Sequence, residues 1–288
     1  MNLTTFVLYS LIVLFVCLFF LRGMVVHASR EGAGIRPHDL FAQDAGLLAL
    51  AQAIERDDVA GIQQVIDRGA SVNGRGRGGI TPLLYAMSRQ KIAAMKALVA
   101  AGADPLTDAP GLIESPLGTA AASSNPALLR AMIDAGCDPS TVTERAAPLL
   151  ILAIRAGRLD NVRLLVEAGV DIDTSDVAGN SALVVAFNNL EYDLMYWMLE
   201  RGADPRRSRK NIAALLTDKL GRVKPGSESE ARIHSLIDLL QARGFTAATP
   251  VHWERPDWVL WRAEMRKQYG DKWSFPGWVR GKPHVPFK

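Results

Sequence analysis

The sequence predicts an all-α solenoid of helix-turn-helix repeats with short β-turn loops, preceded by an N-terminal transmembrane helix. Three observations lead there: a Gly-centred motif that recurs at a near-constant spacing, helical apolar periodicity ahead of each recurrence, and an uncharged apolar run near the start of the chain.

The apolar run is Phe6 to Leu21, FVLYSLIVLFVCLFFL, followed by Arg22. Such a run is close to the roughly 17–25 residues that cross a bilayer as a helix. A retained single-pass anchor within residues 1–28 is the reading adopted, held in the inner (cytoplasmic) membrane, with 29–46 as linker. A cleaved signal peptide is the alternative, since Val26-His27-Ala28 offers small residues for a peptidase. Met1 to Thr5 carries no Lys or Arg, which counts against it. Arg22, Arg30 and Arg36 would hold the globular part in the cytoplasm, whereas so short a leading tail favours export. The expectation leans to a periplasmic repeat domain.

Past the linker, Gly69-Ala70, Gly102-Ala103, Gly136-Cys137, Gly169-Val170 and Gly202-Ala203 are spaced by 33, 34, 33 and 33 residues. Ahead of them stand AMKALVAAG, ALLRAMIDAG, NVRLLVEAG and DLMYWMLERG, with apolar residues on one helical face. Each Gly sits where a left-handed residue ends a helix. Asp104-Pro105, Asp138-Pro139 and Asp204-Pro205 then prevent its continuation. Some twenty residues upstream lie Thr81-Pro82-Leu83-Leu84-Tyr85-Ala86, Ser115-Pro116-Leu117, Pro148-Leu149-Leu150 and Ser181-Ala182-Leu183. A hydroxyl before Pro caps a first helix and Pro fits its first turn.

These residues resemble the ankyrin repeat, whose hallmark is T-P-L-H-x-A, a second helix and a G-A-D turn. The resemblance spans about 47–245. It departs at the hallmark His, replaced by Leu84, Gly118, Ile151 and Val184. The irregular ends read as caps. Leu47 to Asn73 forms a first unit lacking the Thr-Pro start, and the last unit has helices at Asn211–Leu220 and Ala231–Arg243 around an insertion. Residues 246–288 form a Trp-rich basic capping segment, with a partner-binding arm or an interfacial membrane contact as its other readings. Five of the six tryptophans lie there, among eight basic and four acidic residues.

The chemistry that composition excludes is as informative. A balance of 33 basic and 30 acidic residues gives no charge argument for nucleic acid. Gly74-Arg75-Gly76-Arg77-Gly78-Gly79 matches G-x-G-x-x-G, but it precedes Thr81-Pro82 and lacks the βαβ setting of a dinucleotide site. Five scattered histidines offer no metal-ligand spacing, and no G-x-S-x-G elbow occurs. Cys17 and Cys137 form no disulfide framework, and Cys137 reads as a small packing residue. No enzyme activity, cofactor, metal or small-molecule substrate is therefore expected.

The resemblance implies protein binding through loop tips and the concave ends of the first helices. By register these positions are Arg75, Arg77, Tyr85, Arg89, Glu114, Ser123, Glu144, Arg145, Arg155, Asp176, Phe187, Asn188, Arg206 and Arg207. Anchor plus repeats is similar to bacterial membrane-attached ankyrin proteins, some of which are immunity proteins against secreted phospholipase toxins of type VI systems. A scaffold for a resident envelope complex is the rival expectation.

Overall fold

A computed structural model describes residues 36–106, 114–143 and 147–251. The proposed anchor, Cys17, Glu144, Arg145 and the five C-terminal tryptophans lie outside the described residues. Among those described, no helix is long and apolar enough to cross a membrane.

Thirteen helices are described. A short leader, α1 (Pro37–Phe41), precedes six helix pairs. These are α2 (Ala45–Glu55) with α3 (Val59–Asp67), α4 (Pro82–Ser88) with α5 (Ile92–Ala100), α6 (Pro116–Ala121) with α7 (Pro126–Asp134), α8 (Leu149–Arg155) with α9 (Leu159–Glu167), α10 (Ala182–Asn188) with α11 (Tyr192–Glu200), and α12 (Ile212–Leu220) with α13 (Glu228–Ala242). First helices pack in one row from α2 to α10 and second helices in another from α3 to α9, so each unit touches mainly its neighbours. β pairing among the described residues is confined to two bridges in the loops, Val142 with Pro148 and Ser175 with Ser181.

The local rules read from the sequence operate as expected. Thr81, Ser115 and Ser181 each accept the backbone N–H three residues on, at 3.3, 3.3 and 3.4 Å. Pro148 has no hydroxyl, and α8 starts without a side-chain cap. The recurring glycines take φ between 89° and 100°. Ala103 N–H then reaches Leu98 O and Cys137 N–H reaches Met132 O, both at 2.9 Å, closing each helix. The hallmark-His substitutes are packing residues: Ile151 and Val184 are wholly buried.

Two boundaries differ from expectation. The helical fold starts before residue 47, inside the stretch read as linker. Phe41 of α1 is 1 % exposed and packs edge-on against Tyr85, with ring centroids 5.7 Å apart. Half-buried Leu40 packs beside it, and a five-residue helix is too short to create a periodic signal. In the last unit α13 begins at Glu228 rather than Ala231, because Ser227 caps it by accepting Glu230 N–H at 3.2 Å.

The glycine-rich loop before α4 proves to be a packing device. A Cβ at Gly76 would lie 2.6 Å from the Phe41 ring and 2.7 Å from Leu40 O, and one at Gly74 would lie 2.6 Å from Leu47. The glycines let the leader and first unit close against the loop, which turns Arg75 and Arg77 outward to solvent.

Candidate partner-binding surface

The loop tips and first-helix ends form the candidate site, and the structure sorts them by burial. Tyr85 is 1 % exposed and Asp176 is 3 % exposed, so neither presents a side chain to a partner. The reason is the same for both: each is consumed by a neighbouring element. Tyr85 Oη donates to Glu55 Oε1 of α2, and its ring backs onto Phe41. Asp176 Oδ1 accepts the N–H groups of Ala178 and Asn180, both at 2.9 Å, building the tip turn itself.

Of the exposed candidate arginines, four are held by carboxylates. Arg89 Nε lies 2.8 Å from Glu55, and Arg155 Nη2 lies 2.8 Å from Asp176. Arg206 grips Asp204 at 3.0 Å, and Arg207 lies 3.5 and 3.6 Å from Asp171 and Asp173. Arg89, Arg155 and Arg207 thereby tie one repeat to the next or a helix end to a tip. Phe187 and Ser123 are half-buried, Asn188 is exposed, and Glu114 is half-buried just ahead of α6. Ser123 is partly occupied, its Oγ accepting Asn125 N–H at 3.0 Å. Arg75 and Arg77 stand on the first tip, and Arg206 with Arg207 on the last.

The carboxylates respond to these settings. Burial pushes Glu55 upward, but hydrogen bonds from Tyr85 and Arg89 outweigh it and hold its carboxyl below the ordinary range. Its bond raises Tyr85, after burial as the larger cause. Hydrogen bonding to Arg206 lowers Asp204. Asp173 goes the other way: burial raises it despite the hydrogen bond from Asp204 N–H at 2.8 Å. Cys137 is 2 % exposed, and burial followed by the Asp104 charge pushes its thiol up to about 12, far from nucleophilic range. No group of three metal-ligating side chains occurs among the described residues.

Sequence reasoning missed Val177, 54 % exposed at the tip that Asp176 organises, and Leu190, 54 % exposed between α10 and α11. An apolar residue inside the Asp176–Asn180 turn was the available signal. It also missed the polar groups that join repeats. Asp57 Oδ1 accepts Ala94 N–H at 2.8 Å, capping the next repeat's second helix, whose own Lys91 supplies no cap. Asn161, wholly buried on α9, donates to the carbonyls of Ala120, Ala121 and Ser123 at 3.3, 2.8 and 2.9 Å.

Stacked helix pairs with presented tips are the architecture of an interaction module. Comparison with known proteins places it further. A family model described as ankyrin repeats (3 copies) matches residues 117–209. The chain is similar to Protein PhlB of Serratia liquefaciens, 34 % identical over 168 residues, which cover 57 % of this chain and 70 % of that one. It is also similar to the B-cell lymphoma 3 protein homolog of Mus musculus, 26 % identical over 196 residues, covering 59 % of this chain and 43 % of that relative. The chain belongs to the ankyrin-repeat family that includes PhlB.

Proposed function

We propose that this chain is a non-enzymatic module, held at a membrane, that binds a partner protein across its tips and first-helix ends. The observation that carries the reading is the set of exposed arginines fixed in place by carboxylates of the same stack. A guanidinium bound on one edge keeps further N–H donors and a planar face for a partner. Its rotamer is already ordered, so less side-chain entropy is lost on association. Arginine is also among the residue types that dominate interface energies.

Membrane attachment rests on the Phe6–Leu21 run. The 15 residues from Leu21 to Arg36 span at most roughly 50 Å, which would keep the first repeat near the bilayer.

Four experiments test this. Alkaline phosphatase and, separately, a fluorescent protein that matures only in the cytoplasm are fused after Lys288. Phosphatase activity with a dark fluorescent fusion supports a periplasmic domain; the reverse refutes it, and release of the chain by salt or alkali refutes the anchor. Affinity capture with the full chain is then repeated with Arg155→Ala and Arg77→Ala. Loss of a captured protein of at least tenfold, at a temperature where the variant's circular dichroism matches that of the unaltered chain, supports the surface. A captured secreted lipase marks the chain as an occluding immunity protein, and resident membrane proteins mark it as a scaffold. Turnover of a substrate by the purified chain would refute the non-enzymatic reading.

A further inference from the structure

The last repeat carries an apolar face that its predecessors cover with a further repeat. The residue seven positions before each recurring glycine shows this directly. Ile62, Met95, Leu129, Val162 and Met195 occupy that position and are 1, 0, 0, 0 and 0 % exposed. Ile237, in the same register before Gly244, is only half-buried. Leu215 and Leu220 of α12 and Leu239 of α13 are half-buried as well. Terminal repeats of a solenoid ordinarily turn a polar outer face to water, and here half-buried apolar side chains lie among the exposed polar residues His234, Ser235, Asp238 and Gln241.

Beside that face the chain makes a shallow surface groove, lined by Pro205, Arg206, Ile212, Phe245 and Val251. Asn211 Nδ2 donates to the carbonyls of Thr246, Ala247 and Thr249, at 3.1, 3.2 and 2.7 Å, and so holds the outgoing stretch of chain against α12. The Arg206 guanidinium lies 5.4 Å from the centre of the Phe245 ring, leaving an aromatic and cationic rim. Val251, 37 % exposed, stands in this rim, and 37 residues come after it. They bring Trp253, Trp258, Trp261, Trp273 and Trp278.

We propose that residues 252–288 dock on the open face of the last repeat, in place of a seventh repeat, with tryptophans against Ile237, Leu215 and Phe245. The occupant is this chain's own segment, because it leaves the fold at the groove and its effective concentration there exceeds that of a separate partner.

The test uses the full chain with a photo-activated benzoylphenylalanine at Ile237 and, in a second preparation, at Leu215, since a bulky probe at one position can unseat a helix. Intramolecular cross-links mapping to 252–288 from either position are expected. Cross-links only to a second copy, or none into 252–288 from both, overturn the proposal. Acrylamide quenching of the unmodified chain supplies an independent reading, as five of its six tryptophans lie in the segment. Docking predicts quenching several-fold weaker than in urea, and equal quenching in both conditions overturns it.

Discussion

Leu190 sits at φ +62°, a left-handed conformation that costs an L-residue with a branched side chain about 1–2 kcal/mol. The preceding repeat places Gly157, φ +66°, at the same corner between its helices. At 54 % exposure Leu190 recovers little by burial, so the strain is not offset locally. Leu190→Gly is expected to stabilise the fold by about 0.5–1 kcal/mol after the larger chain entropy of glycine is counted, read as a raised urea midpoint with unchanged slope. If the midpoint falls instead, Leu190 packs in solution in a way its exposure denies. Asp57, φ +54°, is a different case, because its carboxylate serves the next repeat. Asp57→Ala removes the cap on α5 and keeps the backbone strain, with an expected loss of about 1–2 kcal/mol. Asp57→Asn should retain most of that stability, since the amide oxygen accepts the same bond.

At the scale of elements, stability lies in the joints between repeats. Asn161 shows this best. Its amide meets three carbonyls at the end of the previous repeat's first helix, where helical donors run out. Arg158 Nε reaches Ala122 O at 3.0 Å at the same joint, and Asn189 Nδ2 reaches Ile154 O at 2.8 Å one joint later. Asn161→Asp replaces the donors with a buried carboxylate facing three carbonyls. A loss of about 3 kcal/mol or more is expected, by analogy with leaving a buried charge unpaired. Chemical denaturation monitored by circular dichroism checks it, and a loss below about 1 kcal/mol would mean that water enters the joint. Asn161→Ala should cost less, because it removes the donors without adding charge.

For the whole molecule, the carboxylates at these joints set the response to acid. Glu55 and Asp204 have folded pKa values below their unfolded ones. Each therefore contributes stability that is complete above the unfolded carboxylate range, near pH ~4, and is lost as pH falls through the depressed value. Asp173 has the opposite sign: its raised pKa opposes folding above that range, and protonation relieves it. The lowered Glu55 and Asp204 therefore make the fold lose stability as pH falls from about 5 to 3, and the raised Asp173 works against that loss. Thermal unfolding across that window is the measurement. Glu55→Gln should flatten the dependence and Asp173→Asn steepen it, and a midpoint that rises on acidification would contradict the assignment of signs.

The 33-residue Gly spacing and the Thr-Pro or Ser-Pro starts determine the repeat architecture without reference to tertiary contacts. They act within a single helix or turn, where capping and a left-handed terminus depend on adjacent residues. Membership in the ankyrin family and the outward placement of Arg77, Arg89, Arg155, Arg206 and Arg207 were legible for the same reason. Tyr85 and Asp176 were not. They occupy register positions that face outward in principle, and only contact with Phe41, Glu55 and the turn after Asp176 draws them in. The leader helix and the roles of Asp57 and Asn161 also belong to tertiary structure, since the partners of those two side chains lie 37 to 41 residues away along the chain. Short-range hydrogen bonding is written in consecutive residues, whereas burial and pairing across repeats arise only when neighbouring units stack.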